Sequence, residues 1–441
     1  MLKHWLRFGG RWRSPYHRIA YELASPKKAS TVRRLLEYGF VNRAAELLKI
    51  PSLSTPSSEA RLAFLTGKPE VAKAVLLQAL QTLPANHPEQ HRIIKLLTRL
   101  APESVVIWAR EAGHERLATQ IEAAIAPQPH PNFLTFNRPK EDEHLLVSNA
   151  NNSARGKLES LNAFFKEKKL LPVTLKDPEQ AFNINNLSSP PEALPVKKAP
   201  YVSVIMTVYN GEEFIRSAAL SILHQIGVKV ELIIIDDGST DETWRAIGAL
   251  AHQYPDQVQA KKLPENIGTY RAKNVALNMC TGDYVAFQDA DDWSHPQRLA
   301  QSIAWIKSSP NRVAATCRYV RLDTNARFYS PGVWPLHQWS PNTLVFRREI
   351  VLQKLGGFDE VKLGADTEYF ERLRLHFSDK QVFFAKNVML IAMSLPNSLM
   401  HDQMTGTDEQ GYSPNRIAYR ELRSEEFLNS IKNNKAIKIS I

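Results

Sequence analysis

Residues 202–210 read VSVIMTVYN and residues 230–243 read VELIIIDDGSTDET. Val202 to Val208 and Val230 to Ile235 are nearly continuous apolar, β-branched runs of strand length, the composition of strands buried on both faces of a parallel sheet. A helix start follows each run, because Asn210 with Glu213 and Ser239 with Glu242 have the spacing of capping boxes. Strand, tight polar turn and helix, repeated, predict an α/β domain with a mostly parallel sheet. In such sheets ligands sit outside the carboxyl ends of the strands, where Thr207, Tyr209, Asp236, Asp237 and, from a third run, Asp289 fall.

That third run, GDYVAFQDADD (residues 282–292), carries the chemistry. In an extended chain residues two apart point the same way, so Asp289 and Asp291 can present their carboxylates to one point. Two hard oxygen ligands on one side suit Mg2+ or Mn2+, which also hold phosphate oxygens and neutralise a diphosphate leaving group. A lone Asp-x-Asp is a weak sign, because carboxylates at that spacing are common in surface turns. Joined in one order and spacing by ENIGTYRAKN (residues 265–274), LGGFD (355–359) and GADTEY (364–369), it becomes a strong one.

In that order the segments resemble the family-2 glycosyltransferases with the GT-A fold, inverting enzymes that use nucleotide-diphospho-sugars; the likeness covers residues 200–405. The resemblance implies a Rossmann-like catalytic domain, a mostly parallel sheet flanked by helices, with a UDP-sugar as donor. It also implies roles. Thr207 and Tyr209 would meet the nucleobase, the Tyr209 ring stacking on it. Asp237 would accept a hydrogen bond from the base, with Asp236 close to the ribose. Arg271 or Lys273, on a helix expected over 267–279, would reach the base or the diphosphate, and the sequence does not choose between them. Asp291 would ligate the metal directly and Asp289 would contact the ribose or the metal through water, with Asp292 orienting the chain before Trp293 and Pro296. Asp366, at the amino end of a helix that keeps a carboxylate ionised, would be the base that takes the acceptor hydroxyl's proton. Glu368 is the second candidate for that role. His401 would complete the metal shell, and the polar segment after it, residues 402–414, would form a lid over the donor. Trp334 and Trp339 either stack on the sugar or fill the core.

With 441 residues the chain exceeds one typical core, and 43% hydrophobic with 23% charged residues excludes a disordered chain. A net charge of +11 favours an anionic partner. Without zinc-finger spacing, an aromatic-basic sheet motif or a compact Lys/Arg block, that partner is a membrane surface or an anionic substrate and not nucleic acid. Cys280 and Cys317 make neither a disulfide framework nor a zinc site, which suits a cytoplasmic protein. No run is long and apolar enough for a signal peptide or a spanning helix. The basic and aromatic residues between Met1 and Arg18 either rest in a bilayer interface, as a peripheral contact on the inner face of the plasma membrane, or pack on the next helix.

Residues 1–126 predict an all-α, repeat-like domain, with helical periodicity over 32–50, 59–83, 91–100 and 102–125. Three times a Gly is followed five residues on by Ala: Gly39 and Ala44, Gly67 and Ala72, Gly113 and Ala118. The domain is either a surface for a protein partner or self-association, or a bundle that extends the fold. Residues 127–199 turn polar and proline-rich and predict a linker with one docking helix over about 153–169; residues 406–441 predict a lid, a helix and a basic tail. The acceptor, a growing surface polysaccharide or a lipid-linked glycan, follows from family likeness alone. Two other readings stay open. One is a helical scaffold with a degenerate transferase domain. The other is a nucleotidyltransferase, which usually needs a Gly-rich, Lys/Arg-bearing loop where this chain has acidic YNGEE (residues 209–213).

Overall fold

The structure, a computed structural model, describes residues 7–8, 11–12, 14–24, 26, 28–84, 86–126, 138–189, 199–395, 406–408 and 412–440. It divides into two units. The first comprises residues 1–133, 330–336 and 396–437, the second residues 134–329, 337–395 and 438–441.

The first unit is helical, with α1 (Pro15–Leu23), α2 (Ala29–Glu37), α3 (Val41–Leu48), α4 (Pro56–Leu65), α5 (Pro69–Thr82), α6 (Gln90–Leu100), α7 (Pro102–Glu111) and α8 (Glu115–Ile125). Each Gly–Ala repeat marks a helical hairpin, α2–α3, α4–α5 and α7–α8. Gly39, Gly67 and Gly113 hold φ of 86, 74 and 75°, the left-handed backbone that ends a helix and that a side chain disfavours. Ala44, Ala72 and Ala118 are wholly buried in the second helix of each pair. Leu76, Ile93, Leu97, Val105 and Ile121 fill the core beside them.

The second unit opens with α9 (Glu143–Ala150), α10 (Ala154–Glu167) and a short ladder pairing Thr174–Leu175 with Leu187–Ser188. Residues 138–189 are therefore folded structure and not the expected linker. The expected docking helix is α10: Ser153 Oγ accepts the Gly156 N–H at 3.0 Å, and Leu161, Phe164 and Phe165 are buried. Phe165 meets His295 edge-on, ring centroids 4.6 Å apart. His295 is itself 1% exposed. Its Nε2–H donates to the Leu171 carbonyl at 2.9 Å and its Nδ1 accepts the Gln297 N–H at 3.2 Å, which fixes the neutral tautomer.

Burial holds the His295 pKa down to about 4, below the ordinary 6.5. The unfolded chain therefore takes up the proton first, and stability falls as pH drops from 6.5 toward 4, by up to about 3 kcal/mol from this group. Urea unfolding of wild type and His295→Gln at pH 7 and 4.5 checks this. The variant should lose correspondingly less on acidification, and an equal loss would place the acid sensitivity elsewhere.

Ten strands make the sheet: β1 (Tyr201–Val208), β2 (Lys229–Asp236), β3 (Val258–Lys262), β4 (Tyr284–Phe287), β5 (Trp293–Ser294), β6 (Ala314–Asp323), β7 (Phe328–Tyr329), β8 (Gln338–Trp339), β9 (Val345–Arg347) and β10 (Val382–Ser394). Their order is β3-β2-β1-β4-β9-β6-β10-β5, with β7 and β8 on β6. β1 is parallel to both β2 and β4, whereas β9 runs antiparallel to β4 and β6. Both faces are covered. Val202, Val204 and Met206 of β1 pack with α11 (Ile215–Leu223), α12 (Thr243–Gln253) and α14 (Arg298–Lys307), and Ile205 packs on the other face with α13 (Thr269–Leu277), α15 (Arg348–Leu355) and α16 (Ala365–His376). Each wholly buried Ile or Leu contributes about 1.5–3 kcal/mol, which is why the apolar runs carry no alternation. From β1 the chain builds β2 and β3 to one side and β4 to the other, so a crevice opens at the carboxyl ends of β1, β2 and β4.

The expected capping boxes do not form: α11 and α12 start at Ile215 and Thr243 without side-chain caps. Asn210 and Ser239 join the two loops instead. The Asn210 N–H donates to Ser239 Oγ, and the Thr240 N–H to Asn210 Oδ1, each at 2.9 Å. The spacing suits a cap, but parallel strands bring the loops together and the partner across the crevice wins.

The last helix, α17 (Pro414–Lys432), belongs to the first unit. Its Phe427 ring lies 5.1 Å from that of Tyr16, and Arg43 Nη2 donates to Glu425 Oε2 at 2.7 Å. His401 and most of the expected lid, residues 402–405 and 409–411, lie outside the described residues, as do the side chains of residues 1–13. Among the described residues no helix is long and apolar enough to cross a membrane.

Candidate active site

The site is organised by the first turns of α13. Thr269 Oγ1 lies 2.8 Å from Thr207 Oγ1 at the end of β1. Tyr270 donates its hydroxyl proton to Asp366 Oδ1 at 3.1 Å. One turn on, Lys273 reaches Asp289 Oδ1 with its Nζ at 3.6 Å. One helix face thus links the end of β1, the Asp-x-Asp and the proposed base, which are far apart in the chain. Phe287 and Tyr270 flank the ammonium of Lys273, each ring centroid 5.8 Å away.

This geometry separates two residues that the sequence leaves equivalent. Lys273 is 3% exposed and faces Asp289. Arg271 points outward, 53% exposed, and pairs with Glu360 at 3.3 Å. Two positions along a helix turn a side chain by more than half a turn.

The carboxylates after β4 crowd one another. Burial and the charge of Asp289 push Asp291 up to about 6, with Arg321 pulling the other way. Asp292, 6% exposed, is pushed well above the carboxylate range by burial and by Asp291 and Asp289. Its Oδ1 accepts the Met393 N–H at 3.2 Å, an orienting contact to β10. Asn342, in the turn before β9, donates its Nδ2 to Asp289 Oδ2. Among the described residues no three His, Cys, Asp or Glu side chains gather as a metal cage. Asp289 and Asp291 fit a Mg2+ or Mn2+ site nonetheless, because such ions take one or two protein carboxylates and complete their shell with water and substrate phosphate. The repulsion that lifts Asp291 is what a divalent cation would relieve.

Asp236 and Asp237 are both buried at the end of β2. Asp237 clasps the ENIG loop, accepting the Ile267 N–H at 2.8 Å and the Gly268 N–H at 3.0 Å. Burial, followed by the charge of Asp236, raises its pKa despite those donors. Gly238 permits the clasp: it holds φ 77°, and a Cβ there would lie 2.6 Å from the Glu265 carbonyl carbon. Asp236 uses Oδ1 for the Ser239 N–H at 2.8 Å, while its buried Oδ2 has no hydrogen-bond donor among the described residues. Lys262 Nζ stands 3.8 Å from that oxygen. Tyr209, 51% exposed, offers an open ring at the end of β1.

Asp366 sits in the first turn of α16 and also accepts the Thr367 N–H at 2.8 Å. Glu368 lies elsewhere. It is 3% exposed and forms a two-pronged pair with the wholly buried Arg372, at 2.8 and 3.0 Å. Arg372 also donates to the carbonyls of Leu355 and Gly357. Through Arg372, the second candidate base thus ties α16 to the LGGFD loop. The two tryptophans part as well. Trp334 packs on the core of the helical unit, whereas Trp339 contacts Phe370 at 4.6 Å and donates to Thr316 Oγ1 at 3.1 Å.

Tyr270, Asn342, Arg321 and Lys262 are contacts that sequence reasoning missed. For Tyr270 a signal existed, since it precedes Lys273 by one helical turn. Asn342 reaches Asp289 only through the pairing of β9 with β4, which no local pattern reveals.

A mixed sheet with a parallel β3-β2-β1-β4 half, an Asp-x-Asp at its carboxyl edge and helices on both faces define an α/β domain of the GT-A type. Residues 203–359 match the model of glycosyl transferase family 2. Among its relatives are EpsE of Bacillus subtilis (strain 168), a glycosyltransferase by name, 38% identical over 112 residues, and an uncharacterized glycosyltransferase of Haemophilus influenzae, 36% identical over 107. These matches take in 25 and 24% of this chain and span 40 and 42% of those proteins. A longer match, to the uncharacterized glycosyltransferase RT0329 of Rickettsia typhi, is 28% identical over 225 residues, 47% of this chain and 66% of that one. Crystal structures of S. aureus TarS 1-349, with UDP and with UDP-GlcNAc, superpose with TM-scores of 0.37 and 0.39 at 18 and 20% identity, over 53% of this chain and 72% of theirs. Those superpositions are too loose to transfer any contact from the complexes.

Proposed function

We propose that this protein is a metal-dependent, inverting glycosyltransferase that moves a hexosyl or N-acetylhexosaminyl group from a UDP-sugar to a hydroxyl of a glycan, in the synthesis of a surface polysaccharide or lipid-linked glycan at the inner face of the plasma membrane. The observation that carries the reading is the face of α13, whose Tyr270 and Lys273 engage Asp366 and Asp289.

Tyr209 offers a ring for the base, and Asp236 keeps one oxygen without a donor beside Lys262. A Mg2+ or Mn2+ held by Asp289 and Asp291 would offset the charge of the leaving diphosphate. Lys273 orients Asp289 and adds a positive charge on the same side. Asp366 takes the acceptor proton as the acceptor oxygen bonds to the anomeric carbon and the bond from that carbon to the diphosphate oxygen breaks. Tyr270 and the Thr367 N–H at the amino end of α16 hold that carboxylate in place. The +11 net charge supports an anionic surface or substrate as its setting.

Calorimetric titration with UDP, GDP and CDP, with and without Mn2+, tests the reading on wild type and Asp291→Ala. Manganese-dependent binding of UDP alone is expected. The variant should lose at least the roughly 10–100-fold that removal of an outer-shell partner costs a metal site. If no nucleotide binds, the transferase reading fails and a helical scaffold takes its place.

A further inference from the structure

A cavity of about 230 Å³ lies within the helical unit, among α4, α5, α6 and α17. Phe64, Leu76, Leu96 and Ile417 line it together with Arg61, Arg99, Arg416 and Arg420. Elsewhere in this unit arginines have carboxylate partners: Arg34 with Glu22, Arg43 with Glu425, Arg92 with Glu89 and Arg110 with Glu122.

Arg61 and Arg99 differ. Among the described residues neither makes a hydrogen bond or ion pair, and the Nε of each is buried without an acceptor. The only partner of the Arg99 guanidinium there is the Phe64 ring, 5.3 Å from its centre. Arg420 is built into place: Nη2 donates to the Glu37 carbonyl, and its stem crosses Gly39, where a Cβ would come within 2.8 Å of Arg420 Cγ. Burial, then the like charges of Arg420 and Arg99, push the Arg61 pKa down, with Glu37 acting only at a distance. Asp408 offsets Arg99 from afar, its carboxylate already accepting the Tyr412 N–H at 2.7 Å.

A guanidinium drawn partly out of water without a carboxylate is unfavourable, so Arg61 and Arg99, which have no carboxylate partner among the described residues, would gain from an incoming anion. Guanidinium forks match the oxygens of phosphate, and the leucine and phenylalanine lining suits hydrocarbon. We propose that the helical unit carries a second ligand site for an anionic amphiphile, a phosphate or diphosphate joined to a hydrocarbon chain, with Arg61 and Arg99 on the phosphate and the leucines of the lining, Leu76 and Leu96, on the chain.

The test uses the full chain and three probes: decyl phosphate below its micellar concentration, inorganic phosphate and decyl maltoside. Decyl phosphate should bind one to one, at least tenfold more tightly than either other probe, and should raise Tm. Arg61→Gln and Arg99→Gln should each weaken it at least tenfold, while Asp291→Ala should bind it as wild type does. Without ligand Arg61→Gln should melt no lower than wild type, because it removes an unpaired charge. Unchanged binding in both arginine variants, equal affinity for inorganic phosphate (a free-anion site) or for decyl maltoside (an apolar patch), or loss in Asp291→Ala (binding at the donor site) would each overturn the proposal. So would a lower Tm for ligand-free Arg61→Gln, which would make Arg61 a structural residue.

Discussion

Asp366→Asn is expected to lower the turnover rate by about 10²–10⁴-fold, the range for loss of a general base, with UDP affinity within about twofold of wild type. The amide keeps the shape and can still accept from Tyr270 and from the Thr367 N–H. It can no longer take a proton. The proposed donor site lies on the Asp289 side of α13, so removing proton acceptance should separate the two measurements. Single-turnover transfer from a UDP-sugar beside calorimetry of UDP gives both. Near wild-type transfer would remove Asp366 from the reaction, and a matching loss of UDP affinity would move it to the donor side.

Glu368→Ala should fail in the opposite way, by losing the fold first. Arg372 is wholly buried, and without Glu368 its charge keeps, among the described residues, the carbonyls of Leu355 and Gly357 and the face of the Tyr369 ring but no anion. Breaking such a pair from one side costs about 3–5 kcal/mol, a fall in Tm of roughly 10 °C for a unit of this size. The double variant Glu368→Leu/Arg372→Met removes both charges and should recover most of that loss. Thermal unfolding of the three proteins checks it. A Glu368→Ala protein of wild-type stability that has lost turnover would make Glu368 catalytic instead.

Much of the catalytic fold was legible because its signals are local. The strand expected over 202–208 spans Tyr201–Val208, and that over 230–235 spans Lys229–Asp236, since strands buried on both faces must be apolar throughout. The helix expected over 267–279 runs Thr269–Leu277. The Gly–Ala repeats marked all three hairpin turns for a similar reason, a backbone sign that few residues other than Gly adopt. Local signals failed where two segments compete for one partner. Asn210 and Ser239 have cap spacing yet bond across the crevice, and α9 lies in a proline-rich stretch that composition alone assigns to linker.

The sequence by itself determined the family likeness over residues 203–359, the α/β class and the group of acidic residues at the strand ends, because strand burial, helix phase and the Asp-x-Asp spacing are properties of neighbours along the chain. Only the tertiary structure decided what each acid meets. Asp366 and Glu368 share one helical turn, and Arg271 and Lys273 share another. The difference within each pair is the partner that packing brings: Tyr270 or Arg372 for the acids, Glu360 or Asp289 for the cations. A carboxylate's role follows from the charge and burial around it, and those are set by strand order and helix docking, which no short window of sequence contains.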